Sequence, residues 1–193
     1  MSFRFFPFYA MLMKTNLTEG EIAMSENTKT CRELPFYYHY DTPIGLIRIE
    51  ETGNALTGLY LYQKHSFPLE EHTQYYRETV LIAEAHRQLL DYFKGQRKSF
   101  QLPLRPEGTP FQQKVWDALC QIPYGQTKSY SEIAALCGNP KACRAVGGAC
   151  HNNPLLILIP CHRVLGKNGS LTGFGGGLSV KEYLLRLEKE KTL

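Results

Sequence analysis

With 193 residues and 43% hydrophobic content, the chain can bury a core and has a length suited to one domain or two small ones. No apolar run approaches the roughly 20 residues that a membrane-spanning helix requires, which excludes that class and fits a soluble globular protein. The formal charge of +4 is uneven: residues 109–193 carry ten Lys or Arg against five Asp or Glu, a net +5, and the remainder carries −1. An anionic partner is therefore expected at the C-terminal half.

The chain opens with Met1–Met13, apolar and aromatic with Arg4 near its front. Pro7 and the missing small-residue cleavage pattern argue against a signal peptide, so residues 1–33 read as a disordered tail, with Met24 as an alternative start. Short aromatic and β-branched runs follow at 36–40, 44–49 and 56–62, broken by Asp41-Thr42-Pro43 and Gly53-Asn54, which predicts a β-meander. Val80, Ala83, Leu89, Leu90 and Phe93 recur near helical spacing within 74–94, and Gly95 marks the stop. A small sheet packed by one helix is expected over residues 34–104, and the cluster Pro103, Pro106, Gly108 and Pro110 reads as a linker.

The second half, 109–193, is helical with clear punctuation. Thr109, Pro110 and Gln112 supply an N-cap, a first-position proline and a capping-box partner ahead of Phe111, Val115, Leu119 and Ile122. Ser129 and Glu132 form a second capping box for a helix carrying Ile133, Ala134 and Leu136, which Gly138 closes. Asn139-Pro140 starts a third helix, Pro140 to about Asn152, and the pair makes a helix-turn-helix. Its inward stripe is Ala142, Ala145, Val146 and Ala149, with Lys141, Arg144, Gly147, Gly148 and His151 on the outer side. Each of the two consecutive glycines costs a helix about 1 kcal/mol relative to alanine, so a bare backbone is needed there, either for a DNA backbone or for tight packing against another helix. Gly166-Lys167-Asn168-Gly169 is a turn, and Leu171–Leu178 is a glycine-rich loop without the Gly-Lys-Ser/Thr of a nucleotide-binding loop. A last capping box, Ser179 to Glu182, predicts a helix with Val180, Leu184 and Leu187 inward.

Between the glycine pair and that turn, a hydrophobic run delivers Pro160-Cys161-His162-Arg163-Val164. Cys161 is a candidate nucleophile, since a neighbouring cation such as Arg163, or a histidine able to take the proton, favours the reactive thiolate. The alternative is a buried structural cysteine. The six cysteines, Cys31, Cys120, Cys137, Cys143, Cys150 and Cys161, have no framework spacing and fit reduced thiols in a cytoplasmic setting.

Asn139-Pro140-Lys141, Arg144-Ala145-Val146-Gly147-Gly148, Asn153-Pro154 and Ile157 through Val164, with Gly-Gly-Leu before the last helix, resemble the O6-alkylguanine-DNA alkyltransferases over roughly residues 109–188. The resemblance implies an α+β protein: an RNase-H-like domain at 34–104 and a helical, winged-helix-like DNA-binding and methyltransferase domain at 109–193. It implies DNA repair in which Cys161 takes the alkyl group from O6 of a flipped-out guanine and keeps it, so each molecule reacts once. His162 would withdraw the thiol proton through a water, Glu188 would orient His162, and Tyr130 would donate to the base edge as the guanine departs. Read without the resemblance, Glu188 is a solvated charge and Tyr130 a core tyrosine. Asn153 would tie the helix-turn-helix to the active-site segment. Arg144 would fill the gap left by the flipped base, Ala142 and Gly147 would let the helix press into the minor groove of double-stranded DNA, Lys128 and Lys141 would contact phosphates, and Tyr130 would meet the flipped base. Phe174, Gly175 and Pro160 would line the substrate pocket.

Phe174 and Gly175 depart from the family pattern, in which hydroxyl-bearing side chains are common, and this bears on bulky alkyl groups. O4-alkylthymine is a candidate second substrate. The N-terminal half offers only Cys31, His39, His65 and His72 without ligand spacing, so no metal and no cofactor are expected. A monomer suffices for the reaction, located in the cytoplasm of a bacterium or the nucleus of a eukaryote. Two other readings compete. A non-catalytic alkyltransferase-like protein recognises lesions without repairing them, but lacks the nucleophile. A thiol redox enzyme would want Cys-x-x-Cys, and a cysteine hydrolase has no need of a basic helix-turn-helix.

Overall fold

The computed structural model describes residues 34–62 and 73–191. The tail over 1–33, with Cys31 and Met24, and the pair His65 and His72 lie outside the described residues. β1 (Phe36–Thr42), β2 (Gly45–Thr52) and β3 (Ala55–Leu61) form an antiparallel sheet in the order β1-β2-β3. Tyr40, Ile47, Ile49, Leu56 and Leu59 turn inward from it. The β2-β3 turn fits its residues: Gly53 (φ 55°) and Asn54 (φ 59°) both hold the positive φ that a tight hairpin of right-twisted strands demands.

Helix α1 (Val80–Phe93) packs on this sheet, capped by the Thr79 hydroxyl accepting from the Ile82 N–H, and Gly95 follows at φ 72°. Its buried face is Ile82, Ala85, Leu89, Tyr92 and Phe93. The expected stripe is therefore rotated. Val80 is 90% exposed because the Thr79 cap makes it the first helical residue, before the face that meets the sheet. Ala83 and Leu90 flank the true stripe, half-buried.

Both edges of the sheet are covered. Arg77 N–H donates to Tyr37 O (3.0 Å) beside β1, while along β3 Leu56 N–H donates to Pro103 O (2.9 Å) and Leu59 N–H to Pro154 O (2.7 Å). The proline stretch read as a linker is thus bound to the sheet edge. A proline has no N–H to offer, but its carbonyl accepts as well as any other. The second contact carries the site, because residues 154–156 lead into Cys161 and Leu156 N–H returns a bond to Leu59 O (3.0 Å).

Helices α2 (Pro110–Cys120) and α3 (Tyr130–Leu136) open on the two expected capping boxes, Thr109 with Gln112 and Ser129 with Glu132. Gly138 turns the chain at φ 80°. Leu136 is 54% exposed, and Cys137 takes the inward place expected of it. Helix α4 runs Cys143–His151, starting three residues later than expected. Asn139 and Pro140 build the preceding turn, where the Asn139 side-chain carbonyl accepts from Lys141 N–H at 3.2 Å. With that start Val146, Ala149 and Cys150 face inward and Ala145 is exposed. Trp116 anchors α2 to α4 by donating its indole N–H to Ala149 O (2.9 Å).

Two-residue strands β4 (Lys128–Ser129) and β5 (Val164–Leu165) pair in parallel and bring the start of α3 beside the segment that follows Cys161. Nothing in the sequence pattern announced so short a pair. Helix α5 (Leu178–Glu190) has Gly177 as its N-cap at φ 88°, with no side-chain cap. Ser179 lies inside the helix, so the capping box predicted from it does not form. An ideal Cβ on Gly177 would meet no atom within 4 Å, so its need for glycine is conformational. Gly177→Ala is expected to lower stability by about 1 kcal/mol without a steric clash, read as a shifted urea midpoint at unchanged slope.

Candidate active site

Cys161 opens a single turn of 3-10 helix, Cys161–Arg163, and is 3% exposed. The approach to it is tightly folded. Leu158 N–H donates to Leu156 O (2.8 Å) and Ile159 N–H to Leu155 O (2.9 Å), which forces the intervening Ile157 to φ 69°. A β-branched residue there costs on the order of 1–3 kcal/mol, so the surroundings must impose it. Asn153 is part of that constraint: its side-chain NH2 donates to Ile159 O (2.8 Å) and lies 3.1 Å from Cys161 Sγ, while its carbonyl accepts from Leu155 N–H (3.0 Å). One amide thus shapes the loop and touches the thiol.

Glu188, read from sequence either as a solvated charge or as the partner of His162, is 1% exposed near the end of α5. His162 Nε2 lies 2.9 Å from its Oε1, Tyr92 donates its hydroxyl to the same oxygen (2.7 Å), and Gly125 N–H donates to Oε2 (3.0 Å). Arg163 grips both carboxylate oxygens at 2.9 Å and donates to Ile122 O at 2.6 Å. Burial alone would push the Glu188 carboxyl up, but its bonds to His162 and Arg163 hold it down at about 2. An ionised carboxylate only accepts, so His162 carries its proton on Nε2. Burial lowers the pKa of His162 against the pull of Glu188, which keeps the ring neutral near pH 7. Its buried Nδ1 has no hydrogen-bond partner among the described residues and holds a lone pair.

The thiol is not pre-ionised. Burial raises Cys161 to about 11, against the lowering effect of the Asn153 bond and of Lys181. The expectation that Arg163 would acidify Cys161 is therefore corrected: the Arg163 charge is neutralised by Glu188, and Lys181 is the cation that acts on the sulfur. Lys181 is fully buried, donating to Val164 O (2.6 Å) and Thr172 O (2.9 Å). Sequence reading missed it. The available signal was its spacing, since Lys181, Leu184 and Glu188 recur at i, i+3 and i+7 on one face of α5.

Tyr130, at the first position of α3, is half-buried and within reach of the Thr172 hydroxyl; burial pushes its phenol up and that contact draws it back. With Arg144, Gly147, Thr172 and Gly173 it lines a surface pocket of about 370 Å³. A Cβ on Gly147 would reach Tyr130 Cε1 at 3.9 Å, and one on Gly148 would meet nothing within 4 Å, so no neighbouring helix explains the second glycine. Arg144 and Lys141 are exposed, Ala142 caps α4 half-buried, and Lys128 lies 3.9 Å from Glu132. The Phe174 ring stands edge-on to His162 at 6.5 Å. Gly175 opens on a cavity shared with Asn153, whereas Pro160 lines a separate one with Tyr124 and Arg163, so the structure does not unite the three expected pocket residues. Cys120, Cys137, Cys143, Cys150 and Cys161 are free thiols.

The lowered pKa values of Glu188 and His162 fix the sign of the acid response. Each group binds its proton more readily unfolded, so its contribution to stability is complete above the unfolded value and lost as pH falls through the folded one. Unfolding by urea is expected to become easier from about pH 6.5 downward, first through His162 and then, below about 4.5, through Glu188. A midpoint flat between pH 7 and 4 contradicts this assignment.

The chain matches two family models: "6-O-methylguanine DNA methyltransferase, DNA binding domain" over residues 110–190 and "6-O-methylguanine DNA methyltransferase, ribonuclease-like domain" over 36–106. It is 48% identical over 157 residues to the constitutive methylated-DNA--protein-cysteine methyltransferase of Bacillus subtilis, a match covering 80% of this chain and 95% of that one. The chain belongs to the 6-O-methylguanine DNA methyltransferase family. A Methanosarcina acetivorans methylated-DNA--protein-cysteine methyltransferase is 46% identical, across 79% of this chain and 97% of its own. Among solved family structures, the Mycobacterium tuberculosis O6-methylguanine methyltransferase superposes with a TM-score of 0.74 at 42% identity, covering 82% of this chain and 94% of its own. A second from that organism, in complex with DNA, gives 0.73 at 43% identity, covering 80% and 93%. The α+β architecture of a ribonuclease-like sheet joined to a helical DNA-binding half is thus the family's own. No helix among the described residues of this methyltransferase-family chain is long and apolar enough to cross a membrane.

Proposed function

We propose that the protein repairs DNA by direct reversal, moving the alkyl group from O6 of guanine onto Cys161 in one irreversible turnover. The observation that carries the reading is a buried thiol held by Asn153, next in sequence to a neutral His162 fixed by an ionised Glu188. In the reaction the thiol proton passes through a bridging water to His162 Nδ1, the S–C bond forms as the C–O6 bond breaks, and the electron pair stays on the guanine. Tyr130 donates to the base edge and offsets that developing charge. Lys181 supplies the positive potential that the emerging thiolate needs, without ionising the thiol at rest. The guanine takes its proton from the Tyr130 hydroxyl, the thiol proton held on His162 returns through water to restore the phenol, and the thioether has no group to expel, so the protein is consumed.

A base stacked in a duplex cannot reach a thiol 3% exposed, so the nucleotide turns out of the helix. We assign Arg144 to the vacated space, with α4 pressed into the minor groove of double-stranded DNA and Gly147 and Gly148 permitting close approach. Lys128 and Lys141 contact phosphates, which makes binding salt-dependent and largely independent of sequence. Residues 109–193 carry this chemistry as the DNA-binding and methyltransferase domain, and residues 34–104 act as the companion that braces the acceptor segment through β3. One site and one base require only a monomer, and no step calls for a cofactor.

The test is restoration of guanine in a duplex containing a single O6-methylguanine, with repaired strand plotted against protein. Repair that stops at one equivalent is expected, and repair beyond it contradicts suicide transfer. Arg144→Ala is expected to slow transfer from the duplex by about 10-fold or more while leaving reaction with a free O6-alkylguanine base unchanged, because unstacking costs a few kcal/mol only in the duplex. Equal slowing of both substrates would remove Arg144 from base flipping.

A further inference from the structure

Resting on the alkyl-transfer reading above, we infer that Thr172 is a positioning residue for that reaction: its hydroxyl donates to the Tyr130 oxygen as the phenol gives its own hydrogen to the guanine. The two side chains are in hydrogen-bonding contact, and both line the pocket of about 370 Å³ that also holds Arg144, Gly147 and Gly173. Thr172 carries the only hydroxyl between Leu171 and Leu178. Among the described residues that hydroxyl has no other hydrogen-bond partner, so it can turn to serve the phenol.

The fold fixes this contact from both sides. Tyr130 follows β4 directly, and β4 pairs with β5, Lys128 beside Val164 and Ser129 beside Leu165. The buried Lys181 ammonium then ties β5 to the glycine-rich loop, since it donates to Val164 O (2.6 Å) and to Thr172 O (2.9 Å). A closed chain of backbone bonds thus runs from the start of α3 to the hydroxyl beside its phenol. On its other side the Tyr130 ring lies near α4, where a Cβ on Gly147 would come within 3.9 Å of Cε1.

The chemistry calls for a donor at that place. A phenol has one hydrogen, and once this is directed at the base edge the oxygen behind it can only accept. Proton transfer to the departing guanine leaves that oxygen negatively charged, and the neighbouring thiols Cys150 and Cys161 oppose the charge when they carry their own. A threonine hydroxyl supplies a donor without adding a charge. Its lone pairs also let it accept from the phenol in the free protein and reverse the bond when the base arrives. Thr172 is exposed in the free protein, on the pocket that carries Arg144, so a seated duplex covers it and shuts out water that could donate instead.

The experiment is a double-mutant cycle in single-turnover transfer from a duplex holding O6-methylguanine, with duplex affinity measured alongside. Valine keeps the branched shape and the backbone carbonyl that Lys181 holds, so Thr172→Val removes the hydroxyl alone. It is expected to slow transfer by about 10-fold or more, with affinity within about twofold of wild type, on the scale of a lost donor to a developing charge. Thr172→Ser keeps the hydroxyl and is expected within about threefold of wild type. In the Tyr130→Phe protein, adding Thr172→Val is expected to change the rate by less than about twofold, because the oxygen it served is gone. Equal slowing by Thr172→Val in both backgrounds overturns the inference, as does wild-type speed in Thr172→Val or a loss that appears in affinity alone. A Thr172→Ser protein as slow as Thr172→Val overturns it too. Failure of the wild type to transfer methyl is a different result and overturns the alkyl-transfer reading itself.

Discussion

Cys161→Ser is expected to fold, to bind a duplex carrying O6-methylguanine as wild type does, and to transfer nothing, a loss of at least about 10⁴-fold in single-turnover rate. Serine preserves the size of the side chain and its contact with Asn153, so the loop around Ile157 has no reason to rearrange. What is lost is the sulfur. A thiol raised to about 11 by burial can still be ionised in the transition state by a neutral imidazole with Lys181 nearby, whereas an alcohol is several units less acidic and a poorer nucleophile toward alkyl carbon. Measurable transfer by the serine protein at a tenth of the wild-type rate would mean that another group accepts the alkyl.

Glu188→Ala is expected to cost more in stability than in any single contact it makes. Its removal strands the Arg163 guanidinium, which is 7% exposed, beside a His162 that is fully buried and has lost the acceptor for its Nε2–H. Breaking a buried pair by deleting one partner costs about 3–5 kcal/mol because the other charge stays behind. The effect on chemistry is separate: without the carboxylate the imidazole has no fixed tautomer, and transfer by the folded fraction is expected to drop by about 10²- to 10⁴-fold. Urea unfolding gives the first number and single-turnover rates under folded conditions the second. Glu188→Gln retains an oxygen for His162 and should fall between the two proteins on both. A Glu188→Ala protein within 1 kcal/mol of wild type would show that the Arg163 charge is compensated elsewhere.

The parts of the fold that local chemistry dictates were legible in the sequence. Two of the three capping boxes read in the second half, the Gly53-Asn54 turn and the Gly138 reversal depend on a few adjacent residues, and each occurs as expected. Legibility fails where a distant partner decides. Ser179 and Glu182 satisfy a capping pattern, yet Gly177 starts α5 two residues earlier. Val80 and Leu136 fit helical spacing and still face solvent, because spacing sets a period and the neighbours set its phase. In the site the same division holds. Cys161 and His162 are adjacent and announce themselves by type, whereas Asn153, eight residues before the cysteine, was named only through the family resemblance. Glu188 lies 26 residues from His162 amid other charges, and its place is set by Tyr92 and Arg163, which only the folded chain supplies. Lys181 was passed over because a lysine on a helix is usually solvated, and its burial becomes visible only with the Val164 and Thr172 carbonyls around it.

The central claim is that Cys161 accepts and keeps the alkyl group, and intact mass of the protein tests it most directly. After reaction with excess duplex containing one O6-methylguanine, the wild-type chain is predicted to gain about 14 Da, one methylene, at a single equivalent, with the increment mapping to Cys161 after proteolysis. An unchanged mass while the duplex is bound, or a methyl group found on any other residue, would contradict it.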